Sequence, residues 1–285
     1  MSRIYLISGC SSGIGRELAL QLSAQGHTVF AGVRNPQSLA SIASRSLIPL
    51  RLDVTDAGQI GAAFEQIRAH AGYLDGLINN AGYGAMGPLL EMQAAEVQAQ
   101  FATNVFAPLA LSRQLLPLLL EGAKPLIVNI GSSAGILATP FSGAYCASKA
   151  ALHALSDVLR MELAPLGIQV MTVYPGAVAS AFGDNAARRL GATLAADSRY
   201  RAIAAAIEQR AQISSESPTS PKAFARTLVA KLLAKAPPAE ARIGHGSTLM
   251  PLAQRLLPLA WKDRLLRRRF QLDRLGPNGE VRHDH

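Results

Sequence analysis

The sequence predicts a doubly wound parallel α/β sheet, and three observations lead there. Short, almost uninterrupted apolar runs alternate with longer helical patterns, as expected of strands covered on both faces. The order strand, helix, strand, helix repeats from the first residues onward, which builds a parallel sheet. The chemically useful residues fall just after these strands or on the helix that follows, and such sheets bind ligands at the carboxyl ends of their strands.

Taken in order, the runs 4–8, 28–33, 48–52, 74–79, 126–130 and 168–173 read as strands. Between them, 14–25, 57–71, 93–121 and 144–164 read as helices. Past residue 180 the pattern changes. Residues 182–213 are rich in Ala and Arg and read as helical, and 221–236 read as a further helix. The segment from Arg242 reads as a last short strand, and 248–270 is apolar with basic interruptions, broken at Pro251 and Pro258.

Bulk properties narrow the class. A chain of 285 residues can bury one full core. Its net charge of +9 is uneven: residues 242–282 hold nine Lys/Arg against three Asp/Glu, a local +6. Cys10 and Cys146 are too few for a disulfide framework and show no metal spacing, so no metal is expected. They suit a reducing, cytoplasmic setting. No signal peptide is read at the start, and the longest apolar stretch, 109–120, contains Arg113 and Pro117 and is too short to span a membrane.

The glycine turn Gly9-Cys10-Ser11-Ser12-Gly13-Ile14-Gly15 follows the first strand and opens a helix. Gly9 permits a sharp turn, while Gly13 and Gly15 clear space for backbone to approach a diphosphate. The helix N-terminus then offers free N–H groups to the phosphates. After the second strand stands Arg34, with no acid beside it. A carboxylate there would hold a ribose 2′-hydroxyl, whereas a guanidinium pairs with a 2′-phosphate. NADP (NADPH) is therefore expected over NAD. Further on, Tyr145 and Lys149 share one helix face at i and i+4, placing an ammonium near a phenol. Such a charge is expected to draw the phenol's pKa down toward the working range. Ser132, with Ser133 as competitor, is placed to hydrogen-bond a substrate oxygen.

These residues resemble the short-chain dehydrogenase/reductase family in motif order from about Arg3 to Ser180, which implies a Rossmann-like fold and hydride transfer. The resemblance favours Ser132 over Ser133 by its thirteen-residue spacing from Tyr145. It implies that Tyr145 is the general acid/base and that Lys149 also holds the nicotinamide ribose. Asn104 matches the fourth catalytic member, in a water-linked proton relay; back-bonding to its own helix is the alternative. Cofactor contacts are implied for Ser11, Ser12 and Ile14 in the glycine turn, for Asp53 and Val54 at the adenine, and for Asn80, Ala81 and Gly82 at the ribose. Pro175, Gly176, Val178 and Ser180 match the carboxamide-binding element, with Ser180 in place of the usual threonine. Ser12 stands where some NADP-using relatives carry a second base. Cys146 lacks a base in sequence and reads as inert packing.

No motif names the substrate. Leu137, Thr139 and Phe141, with Phe182, Leu190, Leu194, Tyr200 and Ile203 of a substrate loop at about 182–220, suggest an apolar or amphipathic alcohol or carbonyl. The segment from Gly82 to Pro88 and the long extension resemble the steroid- and retinol-dehydrogenase-like branch. Residues 1–245 are expected to form the dinucleotide-binding and catalytic domain, and 246–285 a basic amphipathic extension. That extension reads as a cover over the substrate mouth or as a peripheral membrane contact; nucleic-acid binding is disfavoured, since Trp261 and Phe270 are its only aromatic residues for stacking on bases. The long helices suggest a homo-dimer or tetramer. An NADP-binding redox sensor without turnover, and an isomerase or dehydratase on the same fold, are the other classes.

Overall fold

The computed structural model describes residues 2–179, 183, 186, 194, 195, 197–212, 218–276, 279 and 280. Ser180, Phe182 and Leu190 lie outside them.

Seven strands form one parallel sheet: β1 (Ile4–Ser8), β2 (Thr28–Val33), β3 (Leu47–Arg51), β4 (Gly76–Asn79), β5 (Leu126–Ile130), β6 (Gln169–Pro175) and β7 (Glu240–Ile243). Their order is β3-β2-β1-β4-β5-β6-β7, so the direction of winding reverses between β1 and β4. The crevice at such a reversal is where sheets of this type bind ligands.

Neighbouring residues on a strand face opposite sides, and this sorts the core into two layers. Ile7, Val29, Ile78, Val128 and Val173 pack under α1 (Gly13–Ala24), with a later helix behind them. Leu6, Phe30, Leu77, Ile127 and Val170 pack under α2 (Ala57–His70) and further helices on that face. After α3 (Ala94–Phe101) come α4 (Ala107–Leu120), α5 (Gly143–Leu163), α6 (Ala204–Ala211) and α7 (Pro221–Leu232), the last contributing Phe224, Leu228 and Leu232 to the first layer. The extension holds α8 (Leu249–Leu256) and α9 (Leu259–Arg269).

Three expected boundaries change. Of the helix expected over 182–213, the described residues 194, 195 and 197–200 are not helical, and α6 covers only Ala204–Ala211 after a 3-10 turn. The single helix expected over 93–121 is divided by a π-helical segment, Ala102–Phe106, between α3 and α4. Pro251 does not break the extension. It lies in the first turn of α8, where an intrahelical N–H bond is not needed. Pro258 does separate the two helices, as the N-cap of α9.

Candidate active site

The glycine turn leaves β1 with Gly9 at φ +73° and Gly13 at φ +58°, conformations that favour glycine. A Cβ on Gly9 would come within 2.8 Å of Ala81 Cα, and one on Gly15 would collide with Asn80 and the Gly9 carbonyl. Ser12 caps α1 in extended conformation without a side-chain hydrogen bond, so the first-turn N–H groups are not capped by its side chain. This backbone cradle against a helix N-terminus fits a diphosphate. Asn80 maintains the cradle: its Nδ2 donates to the carbonyls of Ser8 and Gly9 at 2.9 and 3.0 Å. Ser8 Oγ accepts from the N–H groups of Asn80 and Ala81, each at 3.0 Å. The Asn80 amide therefore shapes the site by holding β1 to β4.

Arg34 is exposed at the end of β2, and its charge reaches Asp53 at the end of β3. Asp53 Oδ1 accepts from Thr55 N and Oγ1; these bonds are the main cause holding its carboxyl below the usual range, and Arg34 adds to them. Val54 beside it is buried. Arg34, Asp53 and Val54 thus stand on neighbouring strand ends, next to the glycine turn.

α5 carries the chemical residues. The Ser132 side chain lies near enough to the Tyr145 phenol to favour its ionised form, and Ser133 has no such influence on it. Ser132 Oγ also accepts from Ala134 N at 3.1 Å. Tyr145 and Lys149 are both buried. Burial pushes the phenol up to about 12, and the Ser132 side chain and the Arg210 charge only partly oppose it. The phenol's pKa is thus raised, not lowered as the i, i+4 spacing to Lys149 suggested. Lys149 Nζ donates to the Ile130 carbonyl at 2.7 Å, and burial lowers its own pKa to about 8. The phenol is therefore protonated at neutral pH.

Asn104 lies in the π segment and is fully buried. Rather than bonding its own helix, it accepts from Tyr83 N at 3.1 Å and donates to Tyr83 O at 2.9 Å and Ser148 Oγ at 3.0 Å. Asn104 Oδ1 and Lys149 Nζ approach Gly82 together: a Cβ there would be 3.1 Å from the first and 3.6 Å from the second. Gly176 is needed for packing, since a Cβ would strike the His245 carbonyl. Val178 is buried and bridges to Thr219.

Around Tyr145 lies an apolar cluster of Met86, Phe141, Ile203, Ile207 and Phe270, with Tyr200 and Leu266 against it. Phe141 sits at φ +62° and meets Tyr200 edge-on at 5.7 Å between ring centres. Leu137 is half-buried but stands outside this cluster. Two residues escaped the sequence reading. His153 Nε2 accepts from Ser132 N at 3.2 Å and so fixes the serine loop. Arg210, from α6, is buried beside the tyrosine. His153 follows Lys149 by one helical turn, a spacing that could have shown it. Nothing local marks Arg210.

A family model described as short chain dehydrogenase matches residues 3–190. An uncharacterized oxidoreductase of Escherichia coli (strain K12), YbbO, is 40% identical over 186 residues, covering 65% of this chain and 69% of that protein. The NADPH-dependent 1-acyldihydroxyacetone phosphate reductase of Saccharomyces cerevisiae is 30% identical over 280 residues, 96% of this chain and 93% of the yeast protein. A solved short-chain dehydrogenase from Streptomyces avermitilis superposes with a TM-score of 0.75 at 27% identity, covering 96% of this chain and 98% of that one. With the strand order, the glycine cradle and the nearness of Ser132 to Tyr145, these similarities establish that the chain belongs to the short-chain dehydrogenase/reductase family.

Proposed function

We propose that this protein is an NADP-dependent oxidoreductase that interconverts an alcohol and a ketone or aldehyde on an apolar or amphipathic, lipid-like substrate. The observation that carries the reading is the placement of buried Tyr145, with buried Ser132 near its phenol, against an apolar cluster. In reduction, Ser132 orients the carbonyl oxygen and Tyr145 gives it a proton. Lys149 and Asn104, both close to Gly82, hold the ribose side of the site and relay the proton. A bound nicotinamide supplies the hydride. Arg34, exposed with no acid beside it, favours a 2′-phosphate, and the yeast relative is named as NADPH-dependent. That name and the apolar cluster together favour a lipid-like substrate.

Residues 1–245 carry the cofactor and the chemistry, and within the basic extension from 246 Phe270 joins the Tyr145 cluster, so this part of the extension covers the substrate side. The outer face of the extension favours peripheral contact with a lipid surface. Leu249, Leu256, Leu259 and Trp261 are 66–72% exposed, among basic residues that include Arg255, Lys262 and Arg264. Such a surface suits an anionic bilayer interface. Exposed Phe106 and Leu109, near and on α4, and Val158 and Met161 on α5 favour self-association through those helices.

The test is loss of reduced-nicotinamide absorbance with NADPH or NADH, against ketones, aldehydes and retinoids, in wild type and Arg34→Asp. Substrate-dependent oxidation should favour NADPH. The substitution should shift preference toward NADH by about tenfold or more, the scale of a lost charge-assisted hydrogen bond. No substrate-dependent oxidation would overturn the reaction class, and an unchanged preference would overturn the role of Arg34.

A further inference from the structure

Arg210 is 6% exposed, yet no carboxylate pairs with it among the described residues. Its three hydrogen bonds go to neutral hydroxyls. Nε and Nη2 donate to Thr139 Oγ1 at 3.0 and 2.7 Å, and Nη2 donates to Ser142 Oγ at 2.8 Å. Its guanidinium carbon lies 5.9 Å from the centre of the Phe270 ring. A buried, hydrogen-bonded cation without a counter-charge is costly, because hydroxyls replace only part of its hydration.

Its position makes that cost larger. Ser142 is the N-cap of α5, a helix of 21 residues with no acidic residue in its first turn, and the Ser142 side chain does not cap it. The partial positive charge of this helix end therefore faces the guanidinium. Burial is the main cause that lowers the Arg210 pKa, as expected of a cation withdrawn from water. Two sources of positive potential, the guanidinium and the α5 N-terminus, thus meet one helical turn from Tyr145, beside the apolar cluster. A helix N-terminus and an arginine side by side form a site for an anion.

We propose that Arg210, with the N-terminus of α5, binds an anionic group, phosphate or carboxylate, on the substrate whose carbonyl lies at Ser132 and Tyr145. The substrate class narrows to an anionic amphiphile: an apolar body against Met86, Phe141 and Phe270, and a head group at Arg210. Arg210 acts as a specificity-determining residue and takes no part in proton transfer. The inference rests on the oxidoreductase reading for where the substrate lies.

The experiment is calorimetric titration of the full chain, saturated with NADPH, with decyl phosphate, decanoate and 1-decanol. Wild type should bind at least one of the two anions about 10- to 100-fold more tightly than the alcohol, the range for a charge-assisted hydrogen bond. The better anion identifies the head group. Arg210→Gln should erase the difference while leaving 1-decanol and NADPH affinities near wild type. Arg210→Lys, which keeps the charge, should retain part of it and serves alone if the Gln variant does not fold. Equal binding of anion and alcohol by wild type would overturn the proposal. So would an equal weakening of all three ligands in Arg210→Gln, the mark of a residue that only ties down the 139–142 loop. Reduction of neutral ketones is scored separately. Arg210-dependent anion binding without any reduction would sink the redox reading and leave the subsite standing, and reduction without anion preference would do the reverse.

Discussion

Burial of Tyr145 raises its phenol pKa to about 12, so the proton is held more firmly than in water, and under the proposed reaction it is available to a carbonyl oxygen. Tyr145 and Ser132 were legible because their spacing is fixed on one helix and one loop. Their electrostatics were not, since desolvation depends on what the rest of the chain lays over them. His153 illustrates the point. It supports Ser132 from beneath, and burial, reinforced by the Lys149 charge, lowers its pKa from 6.5 to about 4. An imidazole kept neutral in the fold contributes stability that is fully present above pH 6.5 and is lost as pH falls through about 4, because the unfolded chain takes up the proton first. The contribution at neutral pH is up to ~3 kcal/mol. Urea unfolding of wild type should therefore show a fall in stability between those two pH values. His153→Gln should show a smaller one, and identical pH slopes would contradict this account of the histidine.

At the scale of elements, β1, β2 and β5 appear where their apolar runs predict them, because strands buried on both faces need continuous apolar sequence. The π segment at Ala102–Phe106 was not legible. It keeps the apolar content of a helix and changes only the hydrogen-bond register, which no composition records. That change of register places Asn104 against Tyr83 and Ser148. The extension was legible as amphipathic, but which face turns inward was not: Leu266 and Phe270 pack toward Tyr145, while Trp261 and Leu265 face outward. Trp261 is the only tryptophan in the chain, so its fluorescence reports this surface alone. Emission should shift to the blue with vesicles rich in phosphatidylglycerol and much less with phosphatidylcholine alone. Replacing Leu259 and Leu265 by Gln should abolish the shift without reducing turnover of a short water-soluble ketone. An unshifted emission on both vesicle types would remove the membrane contact from the account.

For the whole molecule, the sheet brings distant pieces to one crevice. Residues from the glycine turn, the ends of β2 to β6 and the start of α5 meet at the reversal between β1 and β4, although more than 130 positions separate Gly9 from Tyr145. This convergence follows from the alternating pattern, and so the place of the glycine turn beside the ends of β2 and β4 was readable before any coordinates. The surroundings of Tyr145 were not, because they are assembled by α6 and the extension, which carry no repeated pattern to anchor them. The central claim is that one side chain transfers the proton while others hold the cofactor. It is tested most directly by Tyr145→Phe, assayed for turnover and for NADPH affinity in the same preparation. The account predicts a fall in kcat of at least about a hundredfold, the scale of a lost general acid, with the Kd for NADPH within about threefold of wild type, since the conservative change removes one hydroxyl and leaves the cradle intact. Turnover that survives the substitution, or NADPH affinity lost together with it, would contradict that division of labour.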